Sequence, residues 1–334
     1  MTVKKILQGH GSGGKLMNEM IAETIVKTLG SASVQLDDSA VLSIGQSRIA
    51  FTTDTFTITP VFFPGGNIGR LAVNGTVNDL AVMGADPLYL SCALILEEGL
   101  DFDEFESILK SMRDEADRAG VSIVTGDTKV VPNGKADKIF INTCGIGIIS
   151  DEAMRREIEP GDRIIINGTI GDHGMAVMAQ RNSLSFSETL ESDCMHLNHL
   201  IKSIRNSFAH TIKFMRDPTR GGVASVLNEI VLGKNFSAML YEDALPLRDP
   251  VKGACEILGL DPLYVANEGK VIIIADKEKA EDIVQLMRRR PEGKDAAIIG
   301  EITKEFAGKA LVETSIGGKR ILPLLIDEQL PRIC

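Results

Sequence analysis

Residues 67–98 read NIGRLAVNGTVNDLAVMGADPLYLSCALILEE, and this stretch decides how the first half of the chain is built. Its first part, 67–85, carries apolar residues at helical spacing, and its second, 87–98, is apolar and β-rich. On the helix, Asn74 and Asn78 stand one turn apart on a shared face, with Asp79 beside them. The same alternation extends outward. RIAFTTDTF (48–56) reads as a strand, and DFDEFESILKSMRDEADRAG (101–120) as an amphipathic helix, acidic at its start and closed by Gly120. VSIVTGDT and KIFINTCGIGIIS add two more strands.

Near residue 150 the sequence shifts to SDEAMRREIEPGDR, a charged stretch of the kind that separates domains. The second half opens with the strand RIIINGTIGDHG. MRDPTRGGVASVLNEIVLG follows, in which Gly-Gly leads into a helix. It closes on a strand–helix–strand unit, KVIIIADKEKAEDIVQLMRR and AAIIGEI. Leu322 to Cys334 carry two prolines and no periodicity. The expected segments are therefore 1–150, 151–321 and a flexible tail, 322–334, which fully extended reaches roughly 40 Å.

The 334 residues exceed one ordinary core, and 44% hydrophobic with 25% charged content is normal for a soluble protein. A net charge of −10 argues against general affinity for nucleic-acid phosphates or anionic membranes. The absence of Trp argues against a stacking platform. A polyphosphate must then be held locally, by backbone amides, a few cations or metal ions. MTVKKILQGHGSGG is not a signal peptide and no run approaches a membrane span, so a cytoplasmic location is expected. The five cysteines are widely spaced and odd in number, which fits neither a disulfide framework nor a zinc ribbon. Cys194-x-His196-x-x-His199 is one local metal candidate with an incomplete ligand set.

GHGSGGKL (9–16) nearly matches a Walker A loop, but Leu16 stands where a Mg²⁺-binding Ser or Thr belongs. Either a glycine-rich loop closing over phosphates with Lys15, or a flexible N-terminus, fits these residues. Asp37, Asp38, Asp54, Asp79 and Asp127 each sit among apolar or small residues. Any one reads equally as a cap or turn residue. Together they read as buried carboxylates that want cations, as at a Mg²⁺–nucleotide site. RDPTRGG (216–222) sets an Asp before a Gly-Gly helix start, a geometry that suits anions. In VANEGK (265–270), Glu268 reads from the residues alone as a loop glutamate.

The motifs HGSGGKLM, DDSAVL, FTTDTFTITPVFFPGGNIG, LAVNGTVNDLAVMGADPLYLS, IVTGDTKVV, GTIGDHG, MRDPTRGG, LDPLYVANEGK, DAAIIGE and PRIC together resemble the HypE family of hydrogenase maturation proteins, essentially end to end. Looser versions of the first-half motifs occur across the ATP-binding superfamily of aminoimidazole ribonucleotide synthetase, selenophosphate synthetase and thiamine-monophosphate kinase. The resemblance implies a two-domain α+β fold whose N-terminal domains pair into a homodimer with ATP sites near the interface. It implies a C-terminal cysteine, here Cys334, that receives a carbamoyl group from the carbamoyltransferase HypF. ATP and Mg²⁺ then dehydrate the S-carboxamide to an S-cyanide. The HypC–HypD complex takes the cyanide for the iron of [NiFe]-hydrogenase. Asp38, Asp54, Asp79 and Asp127 would hold metal, with Asp37 beside them, and Asn74 and Lys15 would hold phosphates. Glu268 would be the base, and Lys129 would stabilise the amide oxygen. Two other classes remain open: another small-molecule ATP enzyme of the superfamily, and a scaffold that uses the tail only for docking. Selenophosphate synthetase, an example of the first, typically carries a reactive Cys or selenocysteine in the glycine-rich region, where this chain has His10.

Overall fold

The computed structural model describes residues 5–11, 13–29, 37–150, 157–186, 188–325, 329–330 and 332–334. The glycine-rich stretch leads into α1 (Lys15–Met20), a π-helical turn and α2 (Lys27–Leu29). Then come β1 (Ala40–Ile44), β2 (Ser47–Phe56), the short pair β3 (Phe62–Phe63) and β4 (Gly66–Asn67), α3 (Ile68–Val82), β5 (Ala85–Glu97), α4 (Phe102–Ala119), β6 (Ser122–Val131) and β7 (Ile139–Ile149). Five of these strands form one sheet in the order β1-β2-β7-β5-β6, antiparallel except where β5 lies beside β6.

The second half supplies β8 (Arg163–Ile166), α5 (Asp172–Arg181), α6 (Asn198–Phe208), β9 (Ile212–Arg216), α7 (Gly222–Val231), β10 (Ser237–Tyr241), α8 (Asp249–Leu258), β11 (Ile272–Ala275), α9 (Lys277–Arg288), β12 (Ala297–Thr303), β13 (Ala310–Glu313) and β14 (Lys319–Leu322). Its sheet runs β14-β13-β10-β12-β8-β11-β9, with only β10 and β13 parallel. Two mixed sheets with helices packed on them make an α+β fold. The boundary expected at residue 150 abuts 151–156, which lie outside the described residues. Among the described residues no helix is long and apolar enough to cross a membrane.

Helix α3 is the hinge of the arrangement. It is buried on nearly every side, so its apolar residues run all round it instead of forming one stripe. Asn67 starts it, accepting from the amides of Gly69 and Arg70. Val73 and Val77 join the core of the first sheet, whereas Ala81 and Val82 pack with Ile201, Ile204 and Met215 of the second half. Each fully buried Val or Leu contributes about 1.5–3 kcal/mol, so one helix fastens both halves. The amphipathic helix 101–120 forms as read, capped by Asp101 and ended by Gly120 in the left-handed region at φ 73°.

The first sheet has two unlike faces. Ala50, Thr52, Asp54 and Phe56 alternate toward α3, as does Thr143, which bonds to Thr76 and the Ala72 carbonyl. On the other face Phe51, Ile146 and Tyr89 stand in register across β2, β7 and β5, and all three are exposed. The edge strand β6 is exposed along almost its whole length.

The tail expected as a flexible arm is seated in this structure. Leu330 and Ile333 are buried in the core that joins both halves, and Cys334 packs against it. Sequence periodicity could not reveal this, because side chains and single carbonyls hold the segment, whose described residues past β14 form no helix or sheet ladder.

Candidate active site

Strand β2 and helix α3 aim carboxylates at one point. Asp38, just before β1, Asp79 near the end of α3 and Asp217, just after β9, each offer an oxygen within 4.8 Å of the others. Thr52 links two of them, its hydroxyl 2.7 Å from Asp79 Oδ2 and 2.9 Å from the Asp38 carbonyl. Ser39 donates to the Asp79 carbonyl at 3.0 Å, fastening this segment to α3. Asp54 lies within hydrogen-bonding reach of Asp79, a contact between two acids that requires a proton or a cation.

The electrostatics match the crowding. Burial pushes Asp38 up to about 6, against the pull of Arg216, whose Nε lies 2.8 Å from Asp38 Oδ1. Burial raises Asp54 as well. Asp79 stands well above the usual range through burial, then through the charges of Asp54, Asp217 and Asp38. Asp217 behaves alike, with burial first and then Asp38 and Asp54. Several hard oxygens within 5 Å, each resisting ionisation beside the next, fit a Mg²⁺ site. A cavity of about 610 Å³ opens beside them, lined in part by Asp37, Asp38, Lys213, Phe214, Arg216 and Lys234. That volume is within the range of small-molecule sites.

Glu268 faces the same region. It is buried, and its Oε1 has no hydrogen-bond partner. Burial raises it well above the ordinary range, helped by charge on Asp217, Asp193 and Asp54. Its loop is tightly held. Asp193 accepts from the amides of Glu268 at 3.2 Å and Gly269 at 3.3 Å, and from Lys270 Nζ at 2.7 Å. A Cβ at Gly269 would lie 2.0 Å from the Asp193 carbonyl oxygen, so only glycine fits there.

Arg220 connects the tail to the acids. Charge on Cys334 is the largest influence raising it, with Asp54, Glu268 and Asp79 adding to the effect. One guanidinium thus senses both the tail tip and the carboxylates. Its Nη1 donates to the Gly11 carbonyl at 3.1 Å, which sets the glycine-rich loop beside it. Asp217, Arg216 and Arg220 were not assigned roles by sequence reasoning, and RDPTRGG was their only signal.

The other expected residues lie elsewhere. Lys15 is exposed, 3.8 Å from Glu19. Asn74 is fully buried, its amide 3.2 Å from Glu115 Oε2 and 3.6 Å from Cys194 Sγ, so its nitrogen is spent inside the core. Asp127 and Lys129 pair with each other at 2.7 Å on exposed β6. Their register partners, Ala93 with Asn142 and then Ile95, belong to the uncovered face, whereas Asp54 pairs with Thr143 on the covered one. Three strand spacings from β2 to β6 are about 14 Å. The acid cluster of one chain therefore does not include Asp127, and Asp217 joins it instead. Cys194 is buried against Asn74, while His196 pairs with Asn198 and His199 with the Arg118 carbonyl. The His196 and His199 rings pack edge to face at 5.4 Å, but among the described residues these three do not gather their ligand atoms as a metal-holding group.

Models of the AIR synthase related proteins match residues 36–149 (N-terminal domain) and 159–313 (C-terminal domain). The carbamoyl dehydratase HypE of Rhodobacter capsulatus is 45% identical, with 99% of this chain and 98% of that one aligned. A crystal structure of the hydrogenase maturation protein HypE in complex with ATP superposes with a TM-score of 0.82 at 44% identity, covering 99% of this chain and 100% of that one. A HypE–HypF complex gives a TM-score of 0.83 at 42% identity, covering 92% and 99%. With two domain models spanning most of its length and this identity end to end, the chain belongs to the AIR synthase related family and, within it, to the carbamoyl dehydratase HypE family of hydrogenase maturation proteins.

Proposed function

We propose that the chain is an ATP-dependent carbamoyl dehydratase acting on its own Cys334. HypF loads the thiol with a carbamoyl group, and this chain converts the S-carboxamide to S-cyanide. The HypC–HypD complex receives the cyanide for the iron of [NiFe]-hydrogenase, in the cytoplasm. The observation that carries the reading is the seat of the tail: the Cys334 carbonyl accepts from the Thr57 amide at 3.0 Å, next to the end of the strand that carries Asp54.

The chemistry needs these groups. A carboxamide oxygen leaves badly as hydroxide, and transfer of the ATP γ-phosphoryl to that oxygen lets it leave as phosphate. The S-carboxamide and ATP then give S-cyanide, ADP and phosphate, with both N–H protons removed from the nitrogen. Glu268, buried and with a free oxygen, is suited to take them in turn. Asp38, Asp79 and Asp217, with Asp54 beside them, would hold Mg²⁺, which neutralises charge on the transferring phosphoryl group. Lys15, which opens α1 just after the glycine-rich stretch beside Arg220, would contact phosphates.

The uncovered row Phe51–Ile146–Tyr89 supports a homodimer, since such an apolar surface favours a partner. Asp127 and Lys129 lie on that same face. In a homodimer they would serve the partner's ATP site, Lys129 at the amide oxygen and Asp127 at the metal.

Intact mass and peptide mapping after incubation with HypF, carbamoyl phosphate and ATP test the reading. The tail peptide should gain a carboxamide and then lose water, and Cys334→Ser should do neither. An adduct mapping to Cys92, Cys144, Cys194 or Cys255 would overturn it.

A further inference from the structure

Three residues at the tail tip are gripped more closely than burial alone requires. The Arg332 guanidinium straddles the Thr57 carbonyl, with Nε at 3.0 Å and Nη2 at 2.7 Å. Its other arm pairs with the Asp137 carboxylate, and its plane lies 5.6 Å from the centre of the Phe140 ring. The tail backbone is held as well. The Arg332 carbonyl accepts from Arg181, the Ile333 carbonyl from His173 Nε2 at 2.8 Å, and the Cys334 carbonyl from the Thr57 amide at 3.0 Å. That fixes His173 as the Nε2–H tautomer, its Nδ1 facing Ser192 Oγ at 2.8 Å. Gly174 leaves room for the aliphatic part, because a Cβ there would stand 3.3 Å from Leu330 Cδ1 and 2.5 Å from Val265.

Arg332 also adopts φ 54°, the left-handed region that a side-chain-bearing residue enters at a cost. The conformation persists only where surrounding contacts over-determine it. The donors and acceptors come from both halves of the molecule: Thr57, Asp137 and Phe140 from the first sheet and its loops, His173 and Arg181 from α5.

We propose that Thr57, Asp137 and Phe140 form a receptor that reads Arg332, and that this arginine is a positioning residue for Cys334. Gripping Arg332 fixes the register at which the tail stops. A slip of one residue would carry the thiol roughly 3.5 Å along its path. That removes a carboxamide from the range of about 3–3.5 Å at which reacting atoms must be held. The receptor therefore serves dehydration and not loading, which needs the tail free of it. The Asp137 pair is half-exposed and contributes little by itself. Discrimination lies in the fork on the Thr57 carbonyl, which lysine cannot reproduce. This inference rests on the reading of Cys334 as the carbamoyl acceptor.

The test compares the full-length chain with Arg332→Lys and Asp137→Asn. Iodoacetamide alkylation of Cys334 without ATP, mapped by mass, reads docking alone. Carbamoylation by HypF and single-turnover loss of water at varied ATP read the two chemical steps. Arg332→Lys should alkylate at least ~5-fold faster, load normally, and dehydrate at least ~10-fold more slowly with KM for ATP unchanged. Asp137→Asn should move alkylation and dehydration the same way by about 2-fold. Wild-type protection and wild-type dehydration in Arg332→Lys would overturn the proposal. Equal losses in loading and dehydration would also overturn it, because the transferase would then be the reader of the arginine. A wild-type chain never modified at Cys334 would instead sink the functional reading, and the alkylation comparison would still decide whether the receptor exists.

Discussion

Two sets of buried acids meet at the loop Glu268–Lys270, and they are built on opposite principles. Asp193 is nearly inaccessible, yet Lys270 Nζ and two backbone amides satisfy it. Burial alone would raise its pKa, but Lys270, with His173 and the Glu268 amide, more than reverses that, so it lies below the ordinary range. Asp79 and Asp217 are also withdrawn from water, but with other carboxylates for neighbours, and both lie well above it. The protein thus pairs the structural acid with a lysine that outweighs its burial, whereas Arg216, 2.8 Å from Asp38, does not outweigh burial where the acids gather. Burial does not distinguish a functional carboxylate from a structural one; the balance of nearby charge does.

The largest stability effect should come from breaking the satisfied pair. Lys270→Met leaves Asp193 charged, buried and without its cation, which should cost about 3–5 kcal/mol in urea denaturation. A loss under 1 kcal/mol would mean that the amides alone hold Asp193, and the contrast would fail on its structural side.

Asp79→Asn should do the reverse. It removes a charge from a crowd while keeping an oxygen for the Thr52 hydroxyl. Stability without Mg²⁺ should hold or rise by about 1 kcal/mol, while ATP hydrolysis should fall at least ~100-fold. Near-wild-type turnover would remove Asp79 from the metal site, and a large loss of stability would show that the acids are structural after all.

The sequence conveys these two sets unequally. Asp38, Asp54 and Asp79 can be read because each sits among apolar or small residues, where surface charge is uncommon. Asp217 lies between Arg216 and Pro218, where an adjacent cation and a proline make it read as a paired turn residue. Asp193 and Lys270 are 77 residues apart, and their pairing exists only once the sheets are folded. The alternating halves and the α3 core follow from periodicity, which is local. The docked tail follows from single contacts to Thr57, Asp137 and His173, which leave no period to read. The placement of Asp127 needs strand register, which fixes the face it occupies and is set by pairing with β5.

A pH test separates the two sets next. The folded pKa of Asp38, about 6, lies above its ordinary 3.8, so the folded state binds that proton more tightly. Stability from this group is complete below about pH 4 and is lost as pH rises through 6. Asp193, depressed in the fold, contributes above its unfolded value and loses that contribution as pH falls. Mg²⁺ competes with protons only at the first set. The rise in Tm on adding Mg²⁺ should therefore be about 2–4 °C greater at pH 7.5 than at pH 5. Asp79→Asn should flatten that difference. An equal gain at both pH values would show that the ion binds outside the acid cluster.

The smallest stability effect belongs to a carboxylate in neither set. Asp127 is exposed and pairs with Lys129 in solvent. Exposed pairs of this kind are worth about 0–1 kcal/mol, so Asp127→Asn should change unfolding stability by less than ~0.5 kcal/mol. Its position on the uncovered face, opposite Asp54, gives it no route to the acids of its own chain. Yet if a second copy packs on Phe51, Ile146 and Tyr89, Asp127 is carried toward that copy's site. The same substitution should then lower ATP hydrolysis at least ~10-fold without loosening the dimer. Mixing Asp127→Asn chains with Asp79→Asn chains discriminates the two arrangements. Within one chain, each defect disables its own site and the mixture stays inactive. Across the dimer, a mixed pair keeps one site with both residues intact, and up to about half the activity of the mixed dimers should return. A stable, inactive mixture would return Asp127 to its own chain and require a movement of β6 that the sheet register does not provide.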